Sequence, residues 1–230
     1  MTGTAYSVNH DTAATTPRHD GPTTLPDRRY PAGTFAGLIG TPFVTAPTRA
    51  ALEARMAKPP AIEPRFLDAA EFATLGAVCD RLLDQTGDAR LVDVAGLIDA
   101  RLASGETDGW RYDALPDDGR AMQRGLAGLD ETARLLAGAP FGELAAADRD
   151  RVIAALASGA PPGEAWRSLP ARRFFEDLLA AATEIFYAHP LAQEEIGYVG
   201  YADARGWQAI GLGEREPREP EPVPAAGGRP

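Results

Sequence analysis

The sequence predicts an all-α protein, an irregular helical bundle of about five main helices with long extended N- and C-terminal segments. Three observations lead there. Apolar residues in the middle of the chain recur at three- and four-residue spacings, the period of one helix face. Gly87, Gly105, Gly138 and the pair Pro161-Pro162 punctuate those stretches where helices should stop. No stretch alternates apolar with polar residues as a half-buried strand would, and no longer unit repeats itself.

Residues 1–26 are rich in Thr, Asp, His, Pro and Gly, with hardly any large apolar side chain, which predicts a flexible arm. Residues 27–66 read as an extended aromatic segment followed by a short helix. Tyr30, Phe35, Leu38, Ile39, Phe43 and Val44 stand among Pro and Gly, so this stretch is expected to lie on a surface rather than form an element of its own. Pro47 opens the short helix and Pro59-Pro60 close it.

The helical body spans 67–213. Asp68 with Glu71 makes a capping-box start, and Phe72, Leu75, Val78, Cys79 and Leu82 form one face until Gly87. A second helix over about Val92–Ala103 presents Val94, Leu97, Ile98 and Leu102. After a polar connection carrying Trp110 and Tyr112, Pro116 and Asp117 open a third helix with Met122, Leu126, Leu129, Ala133 and Leu136 in step. A fourth begins at Ala146 or Ala147 and repeats Val152, Ile153 and Leu156. The last follows Pro170. Its two stripes, Phe174, Leu178, Ala181, Ile185 and Phe175, Leu179, Ala182, Phe186, predict a central helix buried on much of its circumference and ended by Pro190.

Beyond Pro190 the composition changes again. Gly197, Gly200, Gly206, Gly211 and Gly213 alternate with Tyr198, Tyr201 and Trp207. Glycine permits tight left-handed backbone, and Tyr and Trp carry large apolar bodies with one polar tip. Such a loop is stable only with its rings packed, either on its own helices or on another protein. Tyr30, Phe35, Phe43, Tyr198, Tyr201 and Trp207 are therefore the candidate partner-interface residues. Residues 214–230, proline-rich and charged, read as a polyproline II tail.

A formal charge of −10 argues against nucleic acid, since no basic stripe is present to neutralise phosphates. Cys79 is the one cysteine, which excludes an internal disulfide and a cysteine zinc site, and its place in an apolar stripe predicts a buried thiol. No apolar run is long enough to span a membrane. Arg28-Arg29 ahead of F-A-G-L-I-G-T-P-F-V resemble a degenerate twin-arginine export signal, but Pro31, Gly33, Gly40 and Pro42 interrupt the apolar part, so cytoplasmic residence is expected.

The search for chemistry finds no phosphate-binding glycine loop, no nucleophile elbow and no metal-binding pair. G-L-G at 211–213 reads as a turn. His10 and His19 lie in the arm. His189, beside Glu194 and Glu195, admits two readings: a cationic cap at the C-terminus of the last helix, or a base in a shared site. Asp203 with Arg205 reads as a loop brace, Glu184 as solvent-facing or paired with Arg172 or Arg173, and Asp148, Arg149, Asp150 and Arg151 as a solvated face.

The run F-F-E-D-L-L-A-A-A-T-E-I-F-Y-A-H-P at 174–190, then I-G-Y and G-W-Q-A-I-G, resembles the C-terminal signature of the gluconate 2-dehydrogenase subunit 3 family. The segments at 71–85, 97–102, 125–130 and 141–156 fit the same family in order. The resemblance implies a small, non-catalytic subunit that binds a large flavoprotein of the glucose-methanol-choline (GMC) type, which would hold FAD and oxidise a sugar, glycoside or polyol. No cofactor is expected in this chain. Exported members of the family typically carry a twin-arginine signal, and some complexes include a cytochrome. Two other readings stand beside it: an independent helical scaffold, or a small enzyme using His189 with Glu194 or Glu195.

Overall fold

A computed structural model describes residues 33–57, 63–85, 90–107, 113–196, 198, 200, 206, 208–217 and 219. Eight α-helices run through them: α1 (Thr34–Ile39), α2 (Ala46–Met56), α3 (Ala69–Leu82), α4 (Val94–Ser104), α5 (Asp118–Ala137), α6 (Ala146–Ser158), α7 (Ala171–Tyr187) and α8 (Pro190–Glu195). Short 3-10 turns at Phe141–Glu143 and Ala165–Arg167 complete the regular structure. No strand occurs among the described residues.

Helices α3 to α7 are the five expected, and local chemistry sets their ends. Asp68 accepts the N–H groups of Ala70 and Glu71 while Glu71 returns a bond to the Asp68 N–H, a complete capping box. Asp93 and Asp117 cap α4 and α5 through Gly96 and Arg120. Gly105, Gly138 and Gly159 close α4, α5 and α6 at positive φ, where a side chain would be strained.

These helices enclose one core centred on Leu75, Leu126, Leu129, Phe141, Val152 and Phe174. Helix α5 approaches α7 closely because Gly125 has no side chain: a Cβ there would lie 2.1 Å from the Phe174 ring. Two turns further, Thr132 donates to the Pro162 carbonyl and accepts the indole N–H of Trp166, each at 2.8 Å. Asp99, fully buried on α4, accepts the N–H groups of Arg65, Phe66 and Leu67 and so fixes the chain entering α3.

Helix α7 takes the central place expected of it: Ala171, Phe174, Leu178, Ala182 and Phe186 are buried, Phe175, Ala181 and Ile185 pack half-buried against the core, and the helix meets α4, α5, α6 and α8. Other expectations are corrected. The Asp148–Arg151 run is more than a solvated face: Arg81 of α3 grips Asp150 of α6 with bonds of 2.5 and 2.8 Å, and Arg149 donates to the carbonyls of Phe141 and Gly142. Glu184 is exposed, as one reading held, with Arg101 rather than Arg172 or Arg173 as its nearest cation, at 3.9 Å.

The larger correction concerns 33–57. Residues 34–39 are helical, so the segment does form an element of its own. Helices α1 and α2 make a hairpin with a separate small core of Phe35, Ile39, Val44 and Leu52, backed by Met56. Arg49 holds its bend by donating to the carbonyls of Ile39, Thr41 and Val44. The hairpin sits against α8, the second helix that periodicity did not reveal.

Candidate partner interface

Three of the candidate interface residues, Tyr30, Tyr201 and Trp207, lie outside the described residues, as do Arg28-Arg29, His10, His19, Asp203, Arg205, Trp110 and Tyr112. Of the others, Phe35 is 2 % exposed and serves its own chain: its ring fills the hairpin core and its N–H is bonded to Glu194. That side chain is removed from the interface set. Phe43 and Tyr198 are each 47 % exposed.

The site is organised by the corner between α7 and α8. Pro190 cannot continue α7, yet its fixed φ suits the first position of a new helix, so α8 begins where α7 was expected simply to end. His189 is the residue that caps it. Its Nδ1 accepts the Leu191 N–H at 3.2 Å, which requires an unprotonated nitrogen, and the ring is also hydrogen-bonded to the Arg55 backbone. The tautomer with its proton on Nε2 satisfies both partners. Burial pushes the imidazole below its ordinary pKa; the bond to Arg55 opposes that shift and the Arg55 charge adds to it. His189 is therefore a neutral cap at the start of α8, not a cationic cap at the end of α7. The Arg55 guanidinium adds a bond to the Ala188 carbonyl at 3.2 Å.

Glu194 reaches the other way. Its carboxylate accepts the N–H groups of Gly33 at 3.0 Å and Phe35 at 2.8 Å, capping α1. Glu195 lies exposed at the end of α8. His189 thus spends its ring on the start of α8 and the end of α2, and Glu194 its carboxylate on the start of α1, which counts against a shared proton-transfer site.

Around this corner the surface is apolar. Gln193 donates to the Tyr187 carbonyl at the end of α7 and accepts the Tyr198 N–H beyond α8, and Tyr187, Ile196 and Tyr198 are exposed. Behind it runs a groove of about 660 Å³ between α2, α4 and the end of α7, lined by Arg55, Leu97, Ala100, Arg101, Ile185 and His189 among others. Cys79 is buried in the main core and its thiol is pushed up to about 12, chiefly by desolvation. Among the described residues, no group of three or more His, Cys, Asp and Glu side chains could hold a metal ion, and no helix is long and apolar enough to cross a membrane.

Sequence reasoning missed Glu194 as a cap, Asp99 as an anchor, and the exposed Tyr187 and Ile196. Only α8 had a local signal, the His-Pro pair followed by L-A-Q-E-E.

The family model for gluconate 2-dehydrogenase subunit 3 matches residues 69–211, more than half of the chain. No curated protein and no solved structure matches it.

Proposed function

We propose, because the chain belongs to the gluconate 2-dehydrogenase subunit 3 family, that it is the non-catalytic small subunit of an FAD-dependent dehydrogenase. Its partner is a large GMC-type flavoprotein that oxidises a hydroxyl of a sugar, glycoside or polyol, with FAD held in that partner. The chain covers apolar surface of the large subunit and stabilises it, in the cytoplasm. The observation that carries this reading is the set of large apolar side chains, Phe43, Tyr187, Ile196 and Tyr198, left exposed beside a well-packed core. Aromatic residues displayed in this way are enriched at interfaces.

The test is co-expression with each large GMC-type flavoprotein encoded in the source genome. One of them is expected to co-purify in fixed ratio with its flavin absorbance, and to lose solubility when expressed alone. Equal solubility with and without the chain, and no co-purification, would reject the reading. Burial of Phe35 in the chain's own hairpin favours the competing one, a self-contained helical scaffold; a soluble monomer indifferent to every such flavoprotein is its signature.

A further inference from the structure

We infer that the turn at 208–216 is the point at which this chain inserts into its large subunit, with Leu212 and Ile210 entering an apolar cleft of neutral or basic rim. The inference rests on the small-subunit reading above and names the element that makes the contact.

The turn holds its shape by polar bonds rather than by packing. Glu216, buried, accepts the N–H groups of Gln208 and Ala209. Glu214 accepts the Gly211 N–H at 3.0 Å, and its own N–H closes the turn onto the Gly211 carbonyl at 3.1 Å. Gly213, at φ 76°, takes the left-handed position that a type II turn requires of its third residue. Glu219 accepts the Glu216 N–H at 2.7 Å and braces the exit. Glu216 thus faces inward, while the apolar side chains of the tip face out: Leu212 at the apex is 108 % exposed and Ile210 is 83 % exposed. No other large apolar side chain among the described residues is displayed so fully. A tip already ordered in this way loses little conformational freedom on binding.

Charge selects the occupant. Within the turn itself Glu214 and Glu216 stand against one cation, Arg215, and the chain as a whole carries a formal −10. A second copy would bring an equal negative charge to the contact, and an anionic bilayer would repel it. A neutral or basic cleft on a different protein has neither penalty.

The experiment starts from the wild-type chain co-purified with its flavoprotein, as described above. If no flavoprotein binds the wild type, the small-subunit reading fails, and this inference with it. Given that complex, the Ile210→Ser/Leu212→Ser double variant should bind the same flavoprotein about 100-fold more weakly, since two buried aliphatic side chains are lost. Its melting temperature should be unchanged, because neither residue belongs to a core. A Leu212→Cys variant labelled with benzophenone maleimide should crosslink to the flavoprotein; Cys79, buried with its thiol pushed up to about 12, stays unlabelled. Unchanged affinity of the double variant together with no crosslink overturns the tip while leaving the small-subunit reading intact. Two further outcomes overturn it by naming another occupant. One is self-association of the isolated chain in sedimentation equilibrium that the double variant abolishes. The other is flotation with phosphatidylcholine–phosphatidylglycerol vesicles that the double variant abolishes.

Discussion

The Glu194 carboxylate accepts the backbone N–H of Phe35 at 2.8 Å, joining positions 159 residues apart. A second bond, to the Gly33 N–H, makes Glu194 the cap of a helix it does not belong to. Helix α1 has only six residues and no side-chain cap of its own, too short to be stable unaided. The hairpin of α1 and α2 is therefore held from outside, by α8.

Glu194→Ala should release that hairpin. The expected cost is about 1–2 kcal/mol, the range for a lost cap. Hydrogen exchange should quicken in 34–56 and stay unchanged in α3 to α7, whose core is separate. Uniform quickening over the whole chain would show that hairpin and bundle open as one unit, contrary to this account.

A different kind of test applies where α5 meets α7. Gly125→Ala places a methyl 2.1 Å from the Phe174 ring, and both residues sit in the packed core. Overpacking of that kind costs about 3 kcal/mol or more when the backbone cannot yield. Adding Phe174→Leu should recover part of the loss by vacating ring volume. Urea denaturation measures both; a Gly125→Ala protein as stable as wild type would mean that the two helices separate easily.

The bundle was legible in the sequence and the hairpin was not, for one physical reason. Helices α3 to α7 declare themselves locally, through Asp68, Asp93 and Asp117 at their starts and glycines at several of their ends. Helix α1 depends on Glu194, and nothing near Phe35 announces that dependence. His189 was legible as a helix-terminal residue but on the wrong helix, because Pro190 stops one helix and starts the next. G-L-G at 211–213 was correctly read as a turn, whereas the exposure of its Leu212 is set by the fold around it. Gln193 ties the backbone of Tyr187 and of Tyr198 to α8, a pair of contacts no spacing reveals.

Asp99 gives a sharper stability test. Its carboxylate accepts three N–H groups, from Arg65 at 2.6 Å, Phe66 at 3.1 Å and Leu67 at 2.8 Å, in a fully buried position. Asp99→Ala leaves those donors without acceptors, at an expected cost of about 3 kcal/mol. Asp99→Asn keeps the shape but turns an NH₂ group toward the donors, so it should lie between wild type and Ala. Urea melts rank the three proteins. If Asn equals Ala, carboxylate charge rather than oxygen placement carries the effect.

The neutral state of His189 makes a pH prediction of definite sign. Burial holds its folded pKa below the ordinary 6.5, so the unfolded chain binds a proton first as the solution is acidified. The stability His189 contributes is whole above about pH 6.5 and is lost as pH falls toward and through the folded value. Protonation also puts a hydrogen on Nδ1, which then cannot accept the Leu191 N–H. His189→Asn keeps an N-cap acceptor that does not titrate. Wild type should therefore lose more melting temperature than His189→Asn between pH 7 and 5, with the early losses in the hairpin that rests on α8. The lowered carboxylates of Glu131 and Asp150 begin to lose their contribution as pH falls through their ordinary values of 4.5 and 3.8, beneath this window, and both are common to the two proteins compared. Parallel melting curves for the two proteins across that window would show that His189 does not set the acid sensitivity of the corner.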